Sequence, residues 1–316
     1  MVGKHGGTDD FQLYRYKPSL PAAVIFIVLF AVTTFFHVFQ CWKHRSLFMI
    51  ALIVGGTFEF VGYAGRAVSA HNTQSLNPYI IQTILILLGP SLFAATIYMI
   101  LGRLIRRVDG EKYSPIRATW LTKIFVLGDV LSFLLQGGGA GIMSGANKGD
   151  AKNAQSKIDL GQKVIIVGLV LQVLFFGTFG IVAGVFHMRA RKVAHIQALT
   201  VPWERCMHVL YATSVLIFIR SIFRVIEYAQ GNKGYLISHE IFLYIFDSML
   251  MLGVMVILNV SHPGELLDQR KRENPHHLLE ERDVSRDPPA YQGNDTGYPP
   301  ASNMPYVEGP KATTYR

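Results

Sequence analysis

The chain has 316 residues; 50% are apolar, only 16% are charged, and the formal net charge is +9. With a positive mean hydropathy, this balance excludes an ordinary soluble domain and reads as a polytopic membrane protein. A basic excess can mark nucleic-acid binding in a soluble chain, but here the basic residues stand at the ends of apolar stretches, where membrane orientation accounts for them and no nucleic acid is implied.

Residues 1–19 are polar and lack a basic segment followed by a short apolar run and a small-residue cleavage site, so no removable signal peptide is expected. Seven apolar stretches follow, near 20–42, 46–68, 78–101, 120–143, 163–187, 208–227 and 240–260. Roughly 20 residues at about 1.5 Å rise cross a hydrocarbon core of about 30 Å, so the expected fold is all-α, a bundle of seven transmembrane helices. In the third stretch Pro90 after Gly89 frees a backbone carbonyl and is expected to kink the helix. The run Gly137-Gly138-Gly139-Ala140-Gly141 is expected to loosen the outer end of the fourth. Gly180 and Gly184 give the fifth a G-x-x-x-G spacing that suits close helix approach.

After His262-Pro263-Gly264 the composition turns polar and Pro-rich, too poor in apolar residues to build a core. The expected plan is an extracellular segment at 1–19, a transmembrane domain at 20–260 and a disordered cytoplasmic tail at 261–316. Within the tail, Pro288, Pro289 and Tyr291 form a P-P-x-Y sequence of the kind a WW domain reads as a polyproline II ligand, which would recruit a cytoplasmic ubiquitin ligase.

Loop charges set the expected orientation. Lys43 and Arg45 follow the first span; Arg103, Arg106, Arg107, Lys112 and Arg117 follow the third; Arg189, Arg191, Lys192 and Arg205 follow the fifth. The alternate loops are poorer, with Lys148, Lys152 and Lys157 in the fourth and Lys233 in the sixth. The excess places the amino terminus outside and the tail in the cytoplasm. Cys41 and Cys206 then lie at cytoplasmic helix ends, where thiols stay reduced.

A charge at mid-bilayer costs about 2.5–3.5 kcal/mol on insertion scales, so the ionisable residues inside the spans must face one another, water or a ligand. Glu59, Tyr63 and Arg66 fall at i, i+4, i+7 on the second span; Arg220, Arg224 and Glu227 on the sixth; Glu240, Tyr244 and Asp247 on the seventh; Asp129 and Gln136 mark the fourth. Each set lies on one helical face, so four helices are expected to offer polar faces to a common interior, joined by Gln82 and Gln172. Counted from the span ends, Asp129, Gln172 and Arg220 come near the midplane and the others in the outer half. The cytoplasmic half is expected to be mostly apolar, with Arg103 and Lys123 snorkelling. Acids and bases, Lys163 among the latter, nearly balance, so they could also pair to hold helix register.

These residues carry a resemblance. The segments E-F-V-G-Y-A-G-R at 59–66, L-G-P-S-L-F-A-A-T-I-Y-M-I-L-G-R at 88–103, G-D-V-L-S-F-L-L-Q-G-G-G-A-G at 128–141, R-S-I-F-R-V-I-E-Y-A-Q-G at 220–231, H-E-I-F-L-Y-I-F-D at 239–247 and H-P-G at 262–264 together resemble the fungal lipid-translocating exporter family. The resemblance covers roughly Tyr16 to Gly264. It implies a seven-helix protein associated with aminocholesterol resistance and sphingoid-base release, with lipid asymmetry, resistance to amphipathic toxins and a plasma-membrane location. Its motif residues fall here on Glu59, Tyr63, Arg66, Gln82, Pro90, Tyr98, Arg103, Asp129, Gln136, Gln172, Arg220, Arg224, Glu227, Glu240, Tyr244 and Asp247, and it brings no catalytic assignment.

Residues and resemblance converge on an exporter or floppase for amphipathic lipids such as sphingoid long-chain bases. A small polar head would sit among Glu59, Asp129 and Asp247 while the tail stays in lipid, and the arginines would keep the acids ionised in the empty site. No G-x-x-x-x-G-K-[ST] sequence occurs, so uphill movement would need an ion gradient, with Asp129 or Glu59 as proton carrier, or a partner. No cofactor or metal is expected. Two other classes stay open: a seven-helix lipid sensor, although N-P-x-x-Y and a retinal lysine are missing from the seventh span, and an intramembrane lipid hydrolase, although neither H-x-x-x-H nor G-x-S-x-G occurs.

Overall fold

The computed structural model of the chain describes residues 19–71, 76–145, 151–197, 202–230 and 235–264. The segment before Ser19, Lys148, Lys233 and the tail with Pro288, Pro289 and Tyr291 lie outside the described residues. Six long helices come first: α1 (Leu20–His44), α2 (Ile50–His71), α3 (Leu76–Arg107), α4 (Ala118–Gly145), α5 (Ala151–Ala190) and, after the short α6 (Ala194–Gln197), α7 (Trp203–Ala229). After a turn of helix, α8 (Tyr235–Ser238), the last span is compound: α9 (Glu240–Leu243), a π-helical segment Tyr244–Met249 and α10 (Leu250–Val260). No strand occurs among the described residues. Seven helices are long and apolar enough to cross a membrane, as composition and stretch length require. The fifth is longer than its apolar stretch: it begins at Ala151, so Lys152 and Lys157, expected in a loop, are helical.

Local chemistry sets the ends. Pro21 stands in the first turn of α1, where its missing N–H costs nothing. Arg45 closes α1 with a left-handed φ of 49°, which turns the chain through the short 3₁₀ helix Leu47–Met49 into α2. The helices pack in a closed circuit: α1 on α2, α2 on α3, α3 on α4, α4 on α5, α5 on α7, α7 on α10 and α10 back on α1. α3 also touches α5 and α7 and is the most buried span, 61% of its apolar window against 28% for α1. Lipid tails are as apolar as leucine, so helix association here depends on close packing. Around α3 it takes the form of an aromatic knot, Tyr98 with Phe125, Phe176 and Phe179 at ring separations of 4.6–6.0 Å.

Two expectations about glycine change. The glycine run does not loosen α4, which stays helical to Gly145; a Cβ on Gly139 would lie 2.6 Å from the Gly161 carbonyl, whereas Gly137, Gly138 and Gly141 face open space. Gly180 and Gly184 also face open space, so the G-x-x-x-G of α5 is not a helix contact. The close approaches fall on glycines without that spacing: Gly55 on Gly89 and Phe93, Gly128 on Phe175, Gly168 on Ser132. Finally, α3 continues through Pro90, and the carbonyl that proline leaves without its i+4 donor, that of Ile86, accepts a hydrogen bond from Arg220 Nη2 at 3.1 Å.

Gly139→Val forces a side chain against backbone and is expected to destabilise the α4–α5 pair by about 1–3 kcal/mol, whereas Gly180→Val should leave stability unchanged. Thermal unfolding of the two variants in detergent checks the contrast.

Candidate functional site

The second, sixth and seventh spans meet as their stripes predict. From α7, Arg220 Nε donates to Asp247 Oδ1 in a short ion pair, and Arg224 Nη2 donates to Asp247 Oδ2 at 2.8 Å. Arg224 Nη1 reaches Glu227 Oε2 at 3.0 Å, one turn along the same helix. All four side chains are buried, Asp247 to 1% exposure. From α2, Tyr63 shares a short hydrogen bond with Ser248, the neighbour of Asp247. The π-helical segment explains how adjacent residues both point inward: its wider turn carries Asp247 to the α7 arginines and Ser248 to Tyr63. Ser248, absent from the expected stripe, could be found only by knowing of that segment.

Glu59 lies one turn before Tyr63. It is 1% exposed, packs on Gly89, where a Cβ would lie 2.6 Å from Oε1, and the charges of Asp247, Arg220 and Arg224 act on it. Its Oε1 has no hydrogen-bond partner among the described residues.

Arg66 and the start of the last span form a separate latch at the end of the bundle where α1 begins. Arg66 Nη2 pairs with Glu240 Oε1 at 2.8 Å, and Arg66 Nε and Glu240 are joined through the Tyr244 hydroxyl at 3.3 and 3.0 Å. The Ser19 backbone N–H donates to both Glu240 oxygens at 3.0 and 2.9 Å. Beneath it, Phe26 and Phe30 of α1 stack with Tyr244 and Tyr63 at 5.2 and 5.7 Å. These two phenylalanines are missed by sequence reading because nothing distinguishes them from lipid-facing residues.

The fourth span does not join this cluster. Tyr98 donates to Asp129 Oδ2 at 3.0 Å, so the polar stripe of α4 turns to α3 and α5. Gln136 Nε2 donates to Gln172 Oε1 at 3.2 Å, and Gln172 Nε2 to Ser91 Oγ at 3.4 Å. Asp129 Oδ1, Gln136 Oε1 and Gln82 Oε1 are buried without a partner among the described residues. The common interior is therefore two clusters, one around Asp247 and one around Asp129, and α3 touches both through Gly89, Ile86 and Ser91. Lys163 is exposed and belongs to neither.

The half of the bundle expected to be apolar is not so between α1 and α10. His37, 0% exposed, places Nε2 3.0 Å from the Met255 carbonyl; Gln40 Nε2 donates to Asn259 O at 2.8 Å and Asn259 Nδ2 to Thr33 O at 3.2 Å. Single uncharged polar residues in apolar runs barely lower hydropathy, which is why they escaped notice. Arg103 and Lys123 lie over the rings of Phe48 and Trp120 at 4.5 and 5.6 Å. The thiols of Cys41 and Cys206 are free, and no cluster of metal-ligating residues occurs among the described residues.

Residues 52–270 match the sequence pattern of a family described as RTA1 like protein. Among curated proteins, the chain is 36% identical to Protoporphyrin uptake protein 1 of Saccharomyces cerevisiae, over 83% of this chain and 96% of that one. It is 30% identical to the protein named Probable lipid transporter atnI of Emericella nidulans, covering 81% and 68%. It is 26% identical to Sphingoid long-chain base transporter RSB1 of Saccharomyces cerevisiae, covering 82% and 75%. No solved structure matches.

Asp247→Asn leaves two buried guanidiniums without their shared counter-charge and is expected to cost about 3–5 kcal/mol. Glu227→Gln, which removes one arm of Arg224, should cost clearly less. Detergent unfolding midpoints of the two variants test the ranking.

Proposed function

The chain belongs to the RTA1-like family of integral membrane proteins, and from that premise we propose that it carries amphipathic lipids with small polar heads, sphingoid long-chain bases among them, across the bilayer. Relatives named as lipid and long-chain base transporters support the reading; none of those names describes an enzyme. The observation that carries it is a surplus of buried acceptors. Among the described residues, Glu59 Oε1, Gln82 Oε1, Asp129 Oδ1 and Gln136 Oε1 lack donors, against Arg224 Nε as an unpartnered donor near Asp247 and Arg107 Nε at the far end of α3. Buried polar atoms are nearly always satisfied, so such a set calls for a donor-bearing group. An ammonium or hydroxyl head meets that need, with its tail left in lipid. Asp247 is already held by two arginines, so Glu59 and Asp129 receive the head and Asp247 anchors the helices around it.

The loop charges favour the amino terminus outside and the tail inside, the resemblance favours the plasma membrane with roles in lipid asymmetry and toxin resistance, and the P-P-x-Y sequence is a docking site for a WW-domain ubiquitin ligase. A second reading, a sensor that binds lipid without moving it, is favoured by one observation: the Arg220, Arg224, Asp247 and Glu227 side chains are locked to one another.

In proteoliposomes the wild type is expected to move a labelled long-chain base between leaflets, and Asp129→Asn to slow this to the rate of protein-free vesicles while inserting normally. Unchanged movement in Asp129→Asn removes that residue from the pathway; binding without movement in the wild type establishes the sensor instead.

A further inference from the structure

A strip of polar side chains on α1 faces α10 in the half of the bundle away from Ser19. Thr33, Thr34, His37 and Gln40 recur at helical spacing; Thr33, His37 and Gln40 meet Asn259 and the Met255 carbonyl as described, and Thr34 Oγ1 lies over Gly56 of α2 beside the Met255 side chain. Gln40 and Asn259 bond crosswise, each amide N–H₂ to the other side's backbone, so their amide oxygens are left over. Gln40 Oε1, Asn259 Oδ1, Thr34 Oγ1 and His37 Nδ1 are all buried without a hydrogen-bond partner among the described residues. Because Nε2 of His37 faces a carbonyl it must carry the proton, which leaves Nδ1 of the neutral ring as an acceptor. Below them Ser46 Oγ lies 3.1 Å from His262 Nε2, the His44 ring lies 5.3 Å from that of His262, and Gly264 closes over the pair.

Holding α1 in place does not require this. Glycine and aromatic packing, as around α3, joins helices economically in lipid, the charged joints of α7 and the last span are paired, and an unsatisfied polar group in this medium costs several kcal/mol. Several unsatisfied atoms within two turns of one interface need water or a polar ligand to complete them. The same interface is polar at its other end, where Ser19, Glu240, Arg66 and Tyr244 form the latch, while the opposite face of α1 shows Ile25, Val28, Val32 and Phe36 to lipid. A helix with that division separates a wet seam from the acyl chains.

We propose that the interface between α1 and α10 is a hydrated seam and the second stage of the head-group path, with His37, Gln40 and Asn259 taking the hydroxyl or ammonium donors of the head while the tail lies outside α1. This rests on the transport reading and adds a site to it. The test is made in a background with Cys41→Ser and Cys206→Ser. Thr34→Cys, a near-isosteric change in the seam, and Phe36→Cys, on the lipid face of α1, are treated with a small charged thiol reagent in proteoliposomes. Thr34→Cys is expected to react and Phe36→Cys to stay unlabelled. In parallel, His37→Leu, checked for a wild-type unfolding midpoint, is expected to slow movement of a labelled long-chain base to near the protein-free rate. If Thr34→Cys reacts no faster than Phe36→Cys, the seam is dry and the proposal is overturned whatever the transport result; wild-type movement in the same vesicles would then leave the transport reading standing. If the seam labels but His37→Leu moves lipid at the wild-type rate, the seam is wet but not the path, which also overturns the proposal. Wild-type vesicles that move no lipid would instead remove the transport reading itself.

Discussion

The tether that Arg220 makes between Asp247 and the Ile86 carbonyl holds the interior together. Pro90 creates the need: without its N–H, Ile86 would keep an unsatisfied acceptor in a medium that has no water to offer. Arg220 answers with one nitrogen and uses another to neutralise Asp247. One guanidinium thereby fixes α7 to α3 and to the last span, which matches its planar, multi-donor geometry and would be beyond a lysine. The neighbours of Pro90 extend the junction. Gly89 gives room to Glu59 and Ser91 accepts from Gln172, so a single turn of α3 sets the spacing between both polar clusters.

The number and order of helices were legible because apolar length is dictated by bilayer thickness. That Arg66, Glu240, Arg220, Arg224 and Asp247 turn inward was foreshadowed by stripes at i, i+4 and i+7. What sequence could not supply was which stripe meets which. Asp129 looks equivalent to Asp247 in a list of intramembrane acids, yet one turns to a tyrosine and the other to two arginines, a choice made by the rotation of α4 about its axis. The π-helical segment is invisible for the same reason: it is a local widening that tertiary contacts stabilise. Glycine spacing misled, since Gly180 and Gly184 have the motif but no facing helix, while Gly139 and Gly161 meet without it. The polar residues of α1 were hidden by dilution among apolar neighbours.

Two physical styles of helix contact thus coexist. Where α3 meets α2, and in the knot around Tyr98, the joints are glycine-lined and aromatic, dense enough at Gly55 and Gly62 that a single methyl group would collide. Between α1 and α10, away from the Ser19 end, they are hydrogen-bonded and incompletely satisfied, and α1 is the least buried span. A transporter needs both, a fixed part against which something can move and a contact whose partners can be exchanged.

The meeting of Gly139 with Gly161 has a consequence for how α4 and α5 can move. With no side chain between them the two backbones touch, and Met143 closes on Gly161 from the next turn of α4. Neither helix can turn about its own axis there without driving a Cβ into the other, so the two lean and shift as one rod.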